Sequence, residues 1–155
     1  MLDLYLDGDG CPVKDETYKV AKRYQLTVYV VSNRPIFVPS DARIVPVRVK
    51  AGPDEADHWI AERAGLDDVV VTADIPLAAR ALEKGAWVLD PRGEPFSRDT
   101  IGEKLAMREL MNELRDMGAV SGGPPPMAAR DRSRYLQRLD QTIQAIRRAP
   151  DRSPS

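Results

Sequence analysis

The chain predicts an α/β fold: a five-stranded parallel, doubly wound sheet with helices on both faces. Three observations carry this. Short apolar runs alternate with helix-patterned stretches through residues 1–91. Helical stretches end at stop signals such as Gly65 and Gly85. Consecutive strands are separated by helix-length segments, and parallel neighbours need crossovers of that kind. A length of 155 residues fits one domain with its own core. We expect a single α/β domain over residues 1–148, a disordered tail over 149–155, and strand order 3-2-1-4-5.

The elements follow in order. "LDLYL" is a short apolar strand ending at Asp7. After Pro12, Val13, Thr17, Val20, Ala21 and Tyr24 recur at helical spacing, with the proline near the first turn where its missing N–H costs nothing. "LTVYVV" (26–31) and "RIVPVRV" (43–49) are strands of β-branched and aromatic residues, and Pro46 marks the second as an edge strand. "PDEADHWIAERAGL" has the acidic start and glycine stop of a helix. "DVVVTAD" (68–74) is a buried strand, "IPLAARALEKG" the next helix, and "AWVLD" (86–90) the fifth strand.

Beyond "PRGEPFS" the pattern is helical only. Residues 99–118 carry Ile101, Leu105, Met107, Leu110, Met111 and Leu114 along one side, an amphipathic helix expected to pack on the sheet. "VSGGPPP" is a turn or linker. A last helix over 127–148 carries Tyr135, Leu136, Leu139, Ile143 and Ile146. The sequence contains no repeat.

Composition excludes several chemistries. One cysteine, Cys11, and one histidine, His58, rule out an internal disulfide, a cysteine-based zinc site and a histidine-rich metal centre. Cys11 beside Pro12 reads as a packed helix-entry residue, and His58 as a helix-surface residue. No window approaches the length of a membrane span and no signal peptide opens the chain, so a soluble cytoplasmic protein is expected. Residues 1–91 hold 11 Lys/Arg against 15 Asp/Glu, whereas residues 92–155 hold 12 against 9. A basic rear beside an acidic front is compatible with a transient polyanionic substrate.

The acids concentrate where a parallel sheet places ligands. Asp7 and Asp9 follow the first strand, Asp74 the fourth and Asp90 the fifth, all at carboxyl ends. Crevices form at that edge where strand order reverses, which order 3-2-1-4-5 puts between the first and fourth strands. Asp54 and Asp57, three apart near a helix start, share one face. Converging carboxylates repel one another unless a cation neutralises them, and an all-oxygen donor set favours Mg²⁺ or Mn²⁺. Metal-assisted phosphodiester hydrolysis is the reaction class this implies. Asp54 equally suits a helix cap and Asp90 a turn, whereas an acid directly after a buried strand, as at Asp7 and Asp74, needs a partner or a cation.

Other motif readings fail or fade. Asp7-Gly8-Asp9-Gly10 starts like a calcium loop, but Cys11 and Pro12 occupy the positions that need an oxygen ligand and a glycine. An Asp-x-Asp phosphatase needs a later lysine and an acidic pair, for which Lys84 and Asp67-Asp68 are poorly placed. No Walker A loop or dinucleotide fingerprint is present.

"LDGDGCPVKDE", "VSNRP", "AGPDEAD", "VVTADIPLAARALEKGA", "LDPRGEPFS", "LAMRELMNELRDMG" and "GGPPPMAARDRSRYLQRLD" together resemble the YaiI/YqxD family of bacterial proteins, from about Leu4 to Leu139. That family is similar to the PIN-like nucleases, whose parallel sheet and carboxylate cluster bind Mg²⁺ or Mn²⁺ to cut RNA or single-stranded or flap nucleic acid. The resemblance implies metal ligation by Asp7 with Asp9 beside it, by Asp54 or Asp57, by Asp74, and least securely by Asp90. It implies a ligand-orienting role for Thr72 and a substrate or metal-water contact for Asn33. Arg92, Arg108, Arg115, Arg130, Arg132 and Arg134 would form a phosphate track, or a solvated face paired with Glu109, Glu113 and Asp131. A noncatalytic module binding nucleic acid or protein is the alternative from a different class, and an Asp-x-Asp phosphatase is a further alternative.

Overall fold

The structure is a computed structural model that describes residues 2–52, 54–119 and 126–148. Its eleven elements are β1 (Leu4–Asp7), α1 (Lys14–Tyr24), β2 (Val28–Ser32), β3 (Ile44–Arg48), α2 (Glu55–Arg63), β4 (Val69–Val71), α3 (Ile75–Glu83), β5 (Trp87–Leu89), β6 (Pro95–Phe96), α4 (Ile101–Asp116) and α5 (Ala129–Arg148). The expected linker at 120–126, apart from Pro126, and the expected tail at 149–155 lie outside the described residues.

The sheet runs β3-β2-β1-β4-β5-β6, so β1 and β4 are neighbours at the reversal point. The first five strands are mutually parallel in the expected order. The expected all-parallel five-stranded sheet is corrected by β6, which pairs antiparallel with β5 through Val88↔Phe96 and Leu89↔Pro95. A tight turn returns the chain: Asp90 N–H donates to the Glu94 carbonyl at 2.9 Å and Gly93 N–H to the Asp90 carbonyl at 3.0 Å. Two residues with a proline among them carry no strand periodicity, and turn hydrogen bonds rather than propensity set this strand. Pro46 lies on the outer strand β3, opposite Val30.

Period-two alternation divides the core between the two faces. Leu4, Leu6, Val28, Val30, Val69 and Val71 pack on one side against Val13 and Val20 of the α1 region and Tyr135, Leu139 and Ile143 of α5. Tyr5, Val70 and Val88 pack on the other side against Ile60 of α2 and Leu77, Ala78 and Ala81 of α3. Between α1 and α5, Thr17 Oγ1 donates to the Val13 carbonyl at 2.8 Å and lies 2.7 Å from the Tyr135 hydroxyl, all of it buried. The single Thr17 proton is committed to Val13, so the phenol is the donor to Thr17.

The helix expected to pack on the sheet does not do so. None of the α4 residues is buried, and the helix rests on α3, with Ile101 reaching the edge of the second core. The helices α2 and α3 already cover that face, which leaves α4 a fourth, outer position.

Candidate functional site: an acidic cleft at the carboxyl edge

Register builds the site. Leu6 pairs with Val71, so the next residues on these neighbouring strands, Asp7 and Thr72, come side by side. Thr72 is buried, and its Oγ1 donates to Asp7 Oδ2 at 3.2 Å while accepting the Asp74 backbone N–H at 3.0 Å. Asp74 then caps α3: its Oδ1 accepts from Leu77 N–H at 2.9 Å, with Pro76 in the first turn. Asp7, Asp9, Cys11, Thr72, Asp74 and Pro91 are among the residues that line a cleft of about 70 Å³.

Gly8 and Gly10 make the approach feasible. Gly8 N–H donates to the Val31 carbonyl at 2.7 Å, and a Cβ at Gly8 would sit 2.9 Å from that same oxygen. Gly10 turns the chain at φ +80°.

The two first-strand acids separate in role. Both oxygens of Asp9 are engaged by the end of β2: Ser32 Oγ donates to Oδ1 at 2.5 Å and Asn33 N–H to Oδ2 at 3.0 Å. Asp7 faces the cleft, and burial, then the charges of Asp9 and Asp74, raise its carboxyl against the lowering bond from Thr72. Asp57 on α2 belongs to the same electrostatic group. Burial pushes its carboxyl up to about 7, aided by Asp74, Asp7 and Asp54, with Arg80 pulling the other way. Five carboxylates from three segments of the chain, Asp7, Asp9, Asp54, Asp57 and Asp74, therefore share one field.

The other expected residues are placed as follows. Asp54 occupies the α2 N-cap position, exposed and without a side-chain cap bond. Asp90 Oδ1 accepts from Arg92 N–H at 2.8 Å and Glu94 N–H at 2.9 Å, the geometry of a turn residue. Asn33 meets the site through its backbone. Arg92 Nε lies 3.9 Å from Asp131 Oδ2, and Arg108 and Arg130 are exposed on α4 and α5. Arg132 bonds the Pro12 carbonyl and Glu16, and Arg134 lies 3.8 Å from Asp131, so much of the expected track is spent on pairs within the protein.

A divalent cation fits the donor chemistry, since the mutual repulsion at Asp7 and Asp57 is what a cation relieves. The oxygens are not preassembled: among the described residues no three Asp, Glu, His or Cys side chains form a ready ligand group. Asp74 Oδ1 is committed to its cap, which leaves Oδ2 for a ligand. Burial pushes the Cys11 thiol up, so it stays protonated and a poor nucleophile. His58 is exposed, 3.0 Å from Arg80 Nη1. Lys84 ends α3 at the far end from Asp74 and bonds the Ala61 carbonyl, while Asp68 precedes β4 and accepts from Asp3 and Gly65 N–H groups. Both lie away from the acidic edge.

Reading for acids at strand ends missed Ser32 and Arg80. Ser32 stands in "VSNRP" at a strand terminus, so the strand-end rule extended from acids to hydroxyls finds it. Arg80 carries no local signal.

The fold and cleft define a mixed α/β protein with an acid-lined ligand edge, in which among the described residues no helix is long and apolar enough to cross a membrane. The chain belongs to the family described as "Uncharacterized BCR, YaiI/YqxD family", matched over residues 5–145. It is 56% identical over 150 residues to a UPF0178 protein of Parvibaculum lavamentivorans, covering 97% of this chain and 99% of that one. It is 55% identical over 148 residues to a UPF0178 protein of Azorhizobium caulinodans, covering 96% and 93%. No solved structure matches this chain.

Proposed function

We propose that this protein is a PIN-like, divalent-metal-dependent nuclease that hydrolyses phosphodiester bonds of RNA or single-stranded nucleic acid. The observation that carries the reading is the cleft lined by Asp7 of β1 and Asp74 of the β4–α3 junction, whose charges also reach Asp57 of α2. Arg80 pulls against that field at Asp57, and an added cation would favour the charged forms of Asp7 and Asp57. Bound Mg²⁺ or Mn²⁺ would polarise the phosphodiester and lower the pKa of an attacking water.

The chain's own residues supply the frame. Asp7, Asp57 and the free oxygen of Asp74 would hold the ion once it draws them together. Thr72 fixes the Asp7 carboxylate and the Asp74 backbone together, so the two acids move as a unit. Asp9 ties the β2 loop to the cleft wall. Asp90, committed to its turn, is left out of the ligand set.

The test is cleavage of labelled RNA and single-stranded DNA with Mn²⁺, comparing wild type with Asp74→Ala. Cleavage lost in the variant supports the assignment, and cleavage unchanged removes it. Metal binding without cleavage in the wild type would leave a noncatalytic binding module.

A further inference from the structure

A second feature adjoins the acidic cleft. Beyond Ser32 the chain forms a groove of about 240 Å³ between the ends of β2 and β3, lined by residues that include Ser32, Arg34, Ile36, Pro46, Val47 and Arg48. Ser32 joins the two: its hydroxyl donates to Asp9, a wall of the cleft, and accepts the Arg34 N–H at 3.0 Å. The groove thus starts one hydrogen bond from the acids.

Its chemistry is opposite to that of the cleft. Arg34 and Arg48 are exposed on two different segments, and their guanidinium groups make no ion pair or hydrogen bond with the described residues. The floor between them is apolar, from Ile36, Pro46 and Val47. Next in sequence to Ile36 of the groove is Phe37, whose exposure of 103% leaves the whole ring in water. A phenyl ring gains nothing from that position within the monomer, since burying it would remove a large apolar area from water.

Two unpaired guanidinium groups lining an apolar groove, with an exposed aromatic ring one residue beyond Ile36, match a flexible polyanion with stackable bases. We propose that this groove binds single-stranded nucleic acid, with Arg34 and Arg48 on successive phosphates and Phe37 stacked on a base, and leads the strand into the acidic cleft. A duplex does not suit it, because paired bases offer no open face to Phe37. The groove sits at the sheet edge on β2 and β3, away from the arginines of α4 and α5.

This inference rests on the nuclease reading for the direction of the strand, but its test needs no cleavage. A fluorescein-labelled single-stranded oligoribonucleotide and the matching oligodeoxyribonucleotide are titrated with full-length protein in EDTA, and anisotropy is read. Wild type should bind both strands and prefer them to the corresponding duplex. The double variant Arg34→Ala/Arg48→Ala should bind about tenfold more weakly at low salt, with a shallower salt dependence by about 1.4 in the log–log slope, as expected for two lost single-strand phosphate contacts. Phe37→Ala should weaken binding by about tenfold. Arg34→Lys/Arg48→Lys should restore part of the loss, because charge without the guanidinium fork still meets phosphate. All three positions are exposed, so circular dichroism should be unchanged. No binding by wild type, equal binding by the double variant within about twofold, or a preference for duplex would overturn the proposal. Loss of cleavage in Asp74→Ala reports on the acids alone, so the two readings fail separately.

Discussion

Thr72 Oγ1 stands 3.2 Å from Asp7 Oδ2, a hydroxyl and a carboxylate brought together from 65 positions apart by the pairing of β1 with β4. The same hydroxyl accepts the Asp74 N–H, so one side chain couples two acids of the cleft. Thr72→Val keeps the shape and removes both bonds. We expect a loss of about 1–3 kcal/mol in urea unfolding, the cost of leaving half-buried polar groups unpaired. The Asp7 carboxyl should also titrate higher, because the Thr72 bond pulls it down. Carboxyl-carbon NMR titration checks this, and an unmoved Asp7 signal would show that another group holds it.

Asp57 gives the protein a pH dependence of definite sign. Its carboxyl lies at about 7 in the folded chain against 3.8 ordinarily. Between those values the folded state carries more protons than the unfolded, so stability falls as pH rises from about 4 to about 7. In EDTA, Asp57→Asn should flatten that fall and stabilise the protein at pH 8 by about 1 kcal/mol, after allowance for screening of a half-exposed group. Asp7 titrates in the same sense, so part of the slope should persist. A variant that melts as wild type does at every pH from 4 to 8 would exclude this origin.

The buried hydroxyl pair between α1 and α5 predicts an unequal outcome. Tyr135→Phe removes a donor but leaves Thr17 bonded to the Val13 carbonyl, at a cost of about 1 kcal/mol. Thr17→Val strands the fully buried Tyr135 hydroxyl without an acceptor and should cost more, about 1–3 kcal/mol. The double variant should cost less than the sum of the two. Equal losses in chemical denaturation would mean that the phenol has a second acceptor.

Asp90 separates a turn residue from a metal ligand. Asp90→Asn keeps the oxygen that accepts from Arg92 and Glu94 N–H, whereas Asp90→Ala loses it. The alanine variant should melt lower, at a cost of about 1–2 kcal/mol, and the asparagine variant close to wild type. If the proposed site binds Mn²⁺, the ion should raise the melting temperature of wild type and of the asparagine variant, and not of Asp7→Asn. If Asp90→Asn also abolishes the metal response, Asp90 is a ligand after all.

What was legible in the sequence follows from the range of the forces involved. The five parallel strands are readable because apolar runs and helix signals are local, and order 3-2-1-4-5 puts Asp7 next to the "TAD" segment. The strand β6 was not readable, since two residues held by turn hydrogen bonds carry no period. The position of α4 is not legible because its sequence carries an apolar stripe, yet the face it would cover is filled by α2 and α3. At the site, the acids were visible and their division of labour was not. Only the contacts of Asp9 with Ser32 and Asn33, 23 and 24 positions away, show that both its oxygens are tied to the end of β2 while Asp7 is bonded by Thr72 within the cleft. The high carboxyl of Asp57 likewise depends on acids from two other elements.

Pro46 sits on β3 and Pro95 on β6, the two outermost strands of the sheet. Each lacks the N–H that a docking strand would need, so both margins of the sheet are poor templates for further pairing. One margin is short as well, at two residues. The protein therefore brings a charged, open ligand edge to the surface while closing the sides by which such sheets stack into aggregates, and it should remain dispersed at concentrations where a sheet with bare margins would not.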